Sequence, residues 1–592
     1  MGFFLSKSVV LQGLRKCIFS ALKQFSDFDK LHVSEDTIFI DQPNDDTRGD
    51  LYTNTAMLFA KRLGTSPTTL AGVIKDFLLQ NSDVTEVSVA NQGFVNFRLK
   101  SSSWQAVVGR IITNCHRYSY SNLKNGASLN IEFVSANPTG PLHTGHARNA
   151  VFGSVAAKLL ERIGYNVVRE FYINDEGNQI TLLAKSLYLR YCELLGVNVN
   201  GFVFEDGMYF GEYVKDMATE LREIYGDEFL NKDESEWLIT LRSFAVKKMM
   251  DNIKNDLSLL GVSIDIYTSE AALYAKQLEN EAIDILTKRG DIYEGVLPKP
   301  KGMTKDDDSE WSEKPQTLFR STKYGDDIDR TVRKFDGTWT YFAGDIAYHL
   351  DKIKRGYKKM VIVLGADHCG YVKRLKAVTS ALSNNDVEIE VRLYQLVNFL
   401  ENGRLIKMSK RAGNFITLKD VVSRCGKDIT RYMMVSRHHD VMIDFDFVKA
   451  VEQSLDNPIF YIQYAYARIC SVFKNCQDIF GNITHDDLVN CDKSALVDDS
   501  EITLMKALTL WPEQVRAAAL AIEPHRISHY LQNIAHLFHV LWNRGKVNTK
   551  LRFIDQKSRQ NTLARLSLLQ ATKNVLEDGF DIIDITPMSE MK

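Results

Sequence analysis

The chain has 592 residues, too many for a single hydrophobic core, so we expect about three or four domains. Its 45% hydrophobic and 25% charged residues exclude both a disordered chain and a membrane-embedded one. A formal net charge of -2 requires any nucleic-acid binding to use local basic patches rather than the whole surface.

Cysteine spacing and hydropathy exclude further classes. The sequence has eight cysteines and no C-x2-C pair, which argues against a zinc site and a disulfide framework, so we expect reduced thiols and no zinc. Charged residues interrupt the first apolar stretch, which is typical of an amphipathic helix rather than an export signal. No run reaches the roughly 20 apolar residues that span a bilayer. We therefore expect a cytoplasmic protein without membrane contact.

Residues 1–120 are predicted to form an N-terminal α/β domain. An amphipathic helix opens it, a turn rich in Gly and Asp lies at 44–50, a helix covers 54–63, and a strand covers 94–98. The loop-like residues 121–127 separate this domain from the next one.

The middle of the chain, residues 121–450, alternates short apolar strands with helices. Strands are predicted at 130–134, 166–173 and 360–364, and a helix ends near residue 163. Strands that are buried on both faces and separated by helices indicate a parallel, doubly wound, Rossmann-like sheet. Residues 301–315 are polar and acidic, which is typical of a solvated loop.

Helical spacing replaces the strand signals after about residue 446. We therefore predict an all-α C-terminal domain over residues 451–592. The clearest apolar stripe at this spacing consists of Ile527, Leu531, Ile534, Phe538 and Leu541.

The first segment that predicts chemistry lies between the 130–134 strand and a helix that begins near His146. A helix start offers unpaired N–H groups and a positive dipole end to an anion, and Gly140 and Gly145 permit close approach. His143 and His146 can donate hydrogen bonds to phosphate or ribose oxygens as charge develops. Two histidines at a helix start could equally be simple caps. The whole segment is Ala136, Asn137, Pro138, Thr139, Gly140, Pro141, Leu142, His143, Thr144, Gly145 and His146.

A second, basic segment follows at Lys407, Met408, Ser409 and Lys410, with glycines on both sides. Such a loop can close over ATP and bring ammonium groups to the leaving pyrophosphate. A short basic segment is more often a solvated surface loop. Only its combination with the segment at 136–146 therefore supports a catalytic role.

Together, in this order on a doubly wound sheet, the two segments resemble the paired signatures of class I aminoacyl-tRNA synthetases. The surrounding sequence is similar to the arginyl family in particular: EFVSANPTGPLHTGHARN from residue 132, IKMSKRAGN from residue 406, and NPIFYIQYAYARI from residue 457. The resemblance covers essentially the whole chain.

This resemblance implies an ATP-dependent ligase that forms arginyl-adenylate, releases pyrophosphate, and transfers arginine to the 3'-terminal adenosine of tRNA(Arg). It also implies ATP with Mg2+, a monomer, and activation of arginine only when tRNA is bound. The implied catalytic residues are His143, His146, Lys407 and Lys410, and the implied ATP contacts also include Pro141, Gly145, Met408 and Ser409.

An arginine substrate requires acids for its guanidinium, an aromatic face, and polar groups for its amino and carboxylate ends. Without the family, Glu132 could pair with a lysine, and Tyr341 with Asp345 could be an ordinary i, i+4 helix pair. By match to the family's positions, the arginine-binding residues are Glu132, Asn137, Glu270, Tyr341, Asp345 and Asp367. Asn174, Asp175 and Gln179 are further polar residues where a predicted strand passes into a loop. Their pattern is at least as typical of a structural turn as of substrate contact.

The flanking domains are the parts that would contact tRNA. The resemblance implies that the N-terminal domain contacts the outer corner of the tRNA and that the helical C-terminal domain reads the anticodon loop. Tyr466 and Arg468 are candidates for stacking on unpaired bases, although neighbouring aromatics follow the spacing of a buried helical face.

Two other functions remain open from the residues alone. One is a related enzyme, either a synthetase for another amino acid or a metabolic ligase that releases a free adenylate. A neutral substrate would leave the acids of the pocket buried and unpaired, which argues against it. The other is a tRNA-binding or scaffolding protein without catalysis, against which both intact nucleotide segments speak.

Overall fold

The computed structural model describes residues 9–43, 45–197, 207–298, 313–406 and 416–591. The chain forms two compact units. One contains the residues up to Asn125 together with Lys158–Gly164 and Glu452–Lys592, and the other contains Gly126–Ala157 and Tyr165–Val451. Segments from both ends of the chain thus share a unit, and the three-part division at residues 120 and 450 stays a prediction.

The strands within the described residues are short. In chain order they are β1 (Leu51–Thr53), β2 (Val84–Val89), β3 (Val95–Leu99), β4 (Ser128–Glu132), β5 (Asn166–Ile173), β6 (Ile266–Ser269), β7 (Ile292–Gly295), β8 (Gln316–Phe319), β9 (Arg330–Arg333), β10 (Lys359–Gly365), β11 (Glu388–Tyr394), β12 (Val397–Glu401), β13 (Arg404–Leu405) and β14 (Ile443–Asp446).

The helices carry most of the described residues. In chain order they are α1 (Val9–Leu22), α2 (Thr55–Phe59), α3 (Pro67–Leu79), α4 (Ser101–Asn114), α5 (Thr144–Arg162), α6 (Asn178–Leu194), α7 (Glu212–Tyr225), α8 (Glu234–Leu259), α9 (Glu270–Ala275), α10 (Leu278–Lys288), α11 (Tyr341–Lys354), α12 (Tyr371–Ser383), α13 (Leu418–Cys425), α14 (Lys427–Met434), α15 (Phe447–Ala450), α16 (Pro458–Phe480), α17 (His485–Asn490), α18 (Asp499–Ala521), α19 (His525–Val547) and α20 (Arg559–Ile583).

A five-stranded sheet of order β11-β10-β4-β5-β6 organises the second unit. Every neighbouring pair in it is parallel. At its centre, Ile131 of β4 lies between Val361 of β10 and Arg169 of β5. Residues 129–132 of β4 are all buried, as a strand covered by helices requires. The predicted parallel, doubly wound sheet is confirmed.

The helices of this unit pack through continuous apolar faces. Phe342, Ile346 and Leu350 of α11 share a core with Ala377 and Val378 of α12. The helices α6, α7 and α8 form their own core, and there the rings of Tyr188 and Trp237 stack with centroids 4.1 Å apart. The candidate residues Glu132, Asn174 and Asp367 lie at or just after the ends of β4, β5 and β10.

The first unit combines a small antiparallel sheet of order β1-β3-β2 with helices. The helices α1 and α3 contact each other beside that sheet, while α16 to α20 pack among themselves and against α4. The predicted stripe on α19 is confirmed, because its five members, Ile527 through Leu541, are each at most 1% exposed. Within the described residues, no helix is both long and apolar enough to cross a membrane.

Two predicted elements end earlier than expected. The strand predicted at 130–134 stops at Glu132, because Val134 and Ser135 adopt positive φ angles of 69° and 35°. The Val134 N–H donates to Oδ1 of Asn149 at 2.9 Å, and this bond holds the turn. The helix predicted at 54–63 ends at Phe59 and continues as a single 3-10 turn at Lys61–Leu63.

Candidate active site

The signature segment 136–146 connects β4 to α5, as its sequence predicts. The chain just after the basic segment lies against it: the Thr144 N–H donates to the Ile416 carbonyl at 3.4 Å, and the Leu418 N–H donates to the Leu142 carbonyl at 2.8 Å. Lys407, Met408, Ser409 and Lys410 lie outside the described residues, as does most of the predicted acidic loop at 301–315. The segment that follows them is nevertheless fixed beside the helix start.

The two histidines of the signature are half-buried and stacked. Their ring centroids are 3.9 Å apart with an interplanar angle of 29°. The Gly145 N–H donates to Nδ1 of His143 at 3.1 Å, and the His143 N–H donates to Nδ1 of His146 at 3.2 Å. Because each Nδ1 accepts a hydrogen bond, the proton of each neutral ring is on Nε2, where it can be donated to a phosphate oxygen.

Gly145 lies close to the stacked rings. A Cβ atom at that position would lie 3.0 Å from Cε1 of His143 and 3.2 Å from its Nδ1. An alanine there would be in tight contact with the His143 ring, which would have to shift by a few tenths of an ångström. The sequence suggested that this glycine permits close approach of a ligand. In the structure it permits close approach of the His143 ring.

Asn137 is exposed and belongs to a small amide network. Its Nδ2 donates to Oε1 of Gln179 at 2.9 Å, and its Oδ1 accepts from Nδ2 of Asn174 at 3.3 Å. Asp175 instead accepts from the hydroxyl of Ser269 at 2.6 Å, at the start of α9. The polar residues that follow β5 thus orient two neighbouring parts of the site, Asn137 and the start of α9.

Glu132 is buried at the end of β4 and pairs with a lysine. Nζ of Lys352 lies 2.6 Å from Oε2 of Glu132, and the Ser135 hydroxyl donates to Oε1 at 3.0 Å. Lys352 itself is fully buried on α11. The lysine-pairing alternative is therefore what the structure contains, and a direct contact of Glu132 with arginine stays a prediction. The sequence analysis did not identify Lys352.

Glu270 begins α9 at a buried position. Burial raises the pKa of its carboxyl, while hydrogen bonds with the Tyr172 and Tyr274 hydroxyls oppose that rise. Both tyrosines escaped the sequence analysis, since neither lies in a recognisable motif.

Asp345 lies on the second turn of α11 and Tyr341 one turn earlier, at i and i+4 as their numbers predict. A Cβ atom at neighbouring Gly344 would lie 3.2 Å from Oε1 of Glu270, so the structure brings the Glu270 carboxylate to this turn of α11. The Asp345 carboxylate adds to the raised pKa of Tyr172, after burial and Glu270. Tyr341 is 75% exposed at the helix start.

Asp367 follows β10 at the carboxyl edge of the sheet, where parallel sheets present ligand groups. It is exposed, and its Oδ2 lies 3.6 Å from Nε2 of His368. This position agrees with the predicted location at the sheet edge but adds no buried contact with the other acids.

The two candidates for RNA contact, Tyr466 and Arg468, lie on α16 in the first unit. Tyr466 is only 5% exposed, and its hydroxyl donates to Oε1 of Glu577 at 2.6 Å. Its ring is part of the helical core in this structure, so the ring would have to leave that core to stack on a base. The Arg468 guanidinium lies over the rings of Tyr464 and Trp542, at 4.1 and 4.7 Å from their centroids.

Three family models match successive parts of the chain. The arginyl tRNA synthetase N terminal domain covers residues 12–99, the catalytic domain of class I (R) tRNA synthetases covers residues 108–466, and the DALR anticodon binding domain covers residues 462–591. The signature segment and all candidate arginine-binding residues fall within the second match.

Whole-length relatives agree with these matches. An arginine–tRNA ligase from Wolbachia pipientis subsp. Culex pipiens is 44% identical over 582 residues, covering 98% of this chain and 100% of the relative. The one from Wolbachia pipientis wMel is 45% identical over 583 residues, with the same coverage. The structure of Thermus thermophilus arginyl-tRNA synthetase is similar with a TM-score of 0.72 over 98% of this chain and 100% of that chain. At 19% identity it supports the fold alone.

Proposed function

Because the chain belongs to the arginyl-tRNA synthetase family, we propose that it activates arginine with ATP and transfers the arginyl group to the 3'-terminal adenosine of tRNA(Arg). The proposal rests on one observation: two different groups of side chains, histidines and carboxylates, lie around the same parallel sheet. Stacked histidines at a helix start suit the phosphates of ATP, and the buried Glu270 carboxylate beside β6 with the half-buried Asp345 carboxylate on α11 suits a guanidinium.

In the first step the arginine carboxylate attacks the α-phosphorus of ATP in line. A P–O bond to the carboxylate forms as the bond to the β-phosphate breaks, and pyrophosphate leaves. His143 and His146 donate from Nε2 to the phosphate as negative charge develops, beside the positive end of the α5 dipole. In the second step a ribose hydroxyl of the terminal adenosine attacks the arginyl carbonyl, and AMP leaves.

Lys407 and Lys410 would supply positive charge to the departing pyrophosphate. The support comes from chain length: Lys410 precedes Ile416 by only six residues, a reach of at most about 20 Å. Ile416 accepts a hydrogen bond from Thr144 at the helix start. A separation of six residues from Ile416 therefore permits Lys410 to reach the phosphate end. Pro141, Met408 and Ser409 would complete the contacts with ATP.

At the other end Asn137 would hold the amino-acid backbone, while Glu270 and Asp345 pair with the guanidinium and Tyr341 covers it. The exposed Tyr341 can move onto the substrate, because its ring lies outside the core. Glu132 and Asp367 would border the same pocket, with Glu132 acting beside its partner Lys352.

Magnesium would arrive on the nucleotide. No group of three His, Cys, Asp or Glu side chains in the described parts of the chain could hold a metal ion. A protein-held metal site therefore has no fitting ligand set there, whereas ATP phosphates bind magnesium themselves. We further propose a monomeric, cytoplasmic enzyme with an N-terminal domain over residues 1–120, a catalytic domain over 121–450, and an anticodon-binding domain over 451–592 that includes Tyr466 and Arg468.

Charging of total tRNA with each proteinogenic amino acid in turn tests this function. With ATP and magnesium present, arginine alone should be esterified to tRNA. Charging with another amino acid would refute the assigned substrate, and an absence of any charging would refute the ligase activity. ATP–pyrophosphate exchange with and without tRNA then tests whether activation requires bound tRNA.

A further inference from the structure

A tyrosine of α7 contacts the turn in the signature segment. The Tyr213 hydroxyl donates to the Thr139 carbonyl at 2.8 Å. A Cβ atom at the next residue, Gly140, would lie 3.4 Å from Oη of Tyr213 and 3.5 Å from its Cζ. The phenol end of Tyr213 thus lies against the peptide that joins Thr139 to Gly140. The sequence analysis did not identify Tyr213, because it is distant from the signature in the chain.

The position of the Tyr213 ring is set by its own helix. Val214 and Met217 of α7 are buried in the core of α6, α7 and α8, and Tyr213 packs against that core. A Cβ atom at Gly211 would lie 2.5 Å from Cε1 and 2.7 Å from Cδ1 of Tyr213, so a side chain there would displace the ring. Burial raises the pKa of Tyr213, so its hydroxyl keeps its proton and remains a donor at neutral pH.

The signature segment has other anchors on both sides of this contact. The Asn137 side chain is held by its amide network with two residues that follow β5. The Leu142 carbonyl accepts a hydrogen bond at 2.8 Å from the chain that follows the basic segment. Thr139 lies between these two anchors, and Tyr213 holds it there. Pro141, which the family resemblance assigns to ATP, follows directly after the held turn.

We propose that Tyr213 is a positioning residue that fixes the signature turn for the binding of ATP. The inference rests on the proposed function, since it concerns the residues that the function assigns to the nucleotide. Without the Tyr213 hydroxyl, the Thr139 carbonyl loses this partner and the turn gains conformations that ATP must then order. Asn137 keeps its own amide partners, so the binding of arginine should be affected less.

The experiment compares Tyr213→Phe with the matched control Tyr191→Phe. The Tyr191 hydroxyl donates to the Gly226 carbonyl, also at 2.8 Å, and accepts from the Phe229 N–H at 3.4 Å in the same three-helix core. Both variants keep the ring and remove a bond to a backbone carbonyl, so urea unfolding should show a loss of stability in the control that is at least as large.

The kinetic constants separate positioning from stability. The KM for ATP should rise about fivefold in Tyr213→Phe and stay within about twofold of the wild type in Tyr191→Phe. The KM for arginine should stay within about twofold of the wild type in both variants. An unchanged KM for ATP in Tyr213→Phe would overturn the inference, as would an equal rise in the control or in the KM for arginine.

A second variant moves the Tyr213 ring and keeps its hydroxyl. Gly211→Ala should raise the KM for ATP to a similar extent, because the ring must leave its place beside Thr139. The double variant Gly211→Ala/Tyr213→Phe should show no further rise, since both changes remove the same hydrogen bond. Two rises that simply add would contradict an action through that bond.

Equilibrium dialysis of magnesium ATP against each variant distinguishes this inference from the proposed function. Tyr213→Phe should bind ATP about fivefold more weakly than the wild type and Tyr191→Phe should not. A wild type that binds ATP but charges no arginine would refute the proposed function, and the dialysis would still decide the role of Tyr213. Normal charging by the wild type with equal ATP binding in all variants would refute the inference alone.

Discussion

The two ends of the site are built in different ways. At the nucleotide end, His143 and His146 are three residues apart and are fixed by backbone N–H groups of their own turn. At the amino-acid end, Glu270 and Asp345 come from α9 and α11 and meet tyrosines of β5 and α9. The first end is a property of one short segment, and the second exists only after the sheet has formed.

The two ends also differ in electrostatics. The nucleotide end offers N–H donors to an anion, whereas the amino-acid end gathers acids and phenols in a buried region. If this division is correct, substitutions should separate cleanly into those that affect ATP and the chemical step and those that affect arginine.

Asp345→Ala should lower kcat/KM for arginine about a thousandfold, because the guanidinium would bind with one of its two acids missing. The KM for ATP should stay close to the wild-type value. Steady-state charging of tRNA(Arg) gives both parameters. A matching loss of ATP affinity would show that the two ends are not separate.

Lys352→Met should lower the free energy of unfolding by about 3 kcal/mol, because it leaves Glu132 buried without its cation. The double variant Glu132→Leu/Lys352→Met should recover much of that loss. Lys354→Met, on the same helix but in an exposed pair with Glu281, is the control and should cost less than about 1 kcal/mol. Urea unfolding measures all three, and an unaffected Lys352→Met would contradict a structural role for the pair.

His146→Ala should lower kcat about a hundredfold while KM for arginine changes little, because a donor to the developing phosphate charge is lost. Single-turnover formation of arginyl-tRNA isolates this step. A large increase in the KM for arginine in His146→Ala would contradict the assignment of this residue to the nucleotide end.

Acidification should weaken arginine use before it weakens ATP use. The pKa of Glu270 is raised, chiefly by burial, so its carboxylate is neutralised at a higher pH than an ordinary glutamate. As the pH falls through that pKa, kcat/KM for arginine should fall about tenfold per pH unit. Glu270→Gln should lack this limb of the profile while it keeps those of other groups. A wild-type profile that is flat over this range would contradict the assignment.

The contrast between the ends explains what could be predicted from the sequence. The parallel sheet and the turn at His143 and His146 follow from local patterns of apolar residues, glycines and histidines. The pairing of Glu132 with Lys352 joins residues that are distant in sequence, and the sequence could only leave a lysine partner open. The positive φ angles of Val134 and Ser135 likewise depend on Asn149 of α5, so the early end of β4 had no local signal.

The tyrosines show the same limit more sharply. Tyr172 and Tyr274 look like ordinary apolar positions of a strand and a helix, yet in the fold burial and the charge of Glu270 raise the pKa of both hydroxyls. Tyr466 is the opposite case, since an aromatic beside basic residues suggested RNA contact but is packed in the helical core and bonded to Glu577.

A comparison of arginine with citrulline tests most directly whether Glu270 and Asp345 select arginine at an end distinct from the nucleotide end. Citrulline has the same length but carries a neutral urea group in place of the guanidinium. The account predicts that the wild type charges tRNA with arginine at least about a thousandfold better in kcat/KM, and that Asp345→Asn narrows this ratio. Equal use of the two substrates by the wild type, or a ratio unchanged in Asp345→Asn, would contradict it.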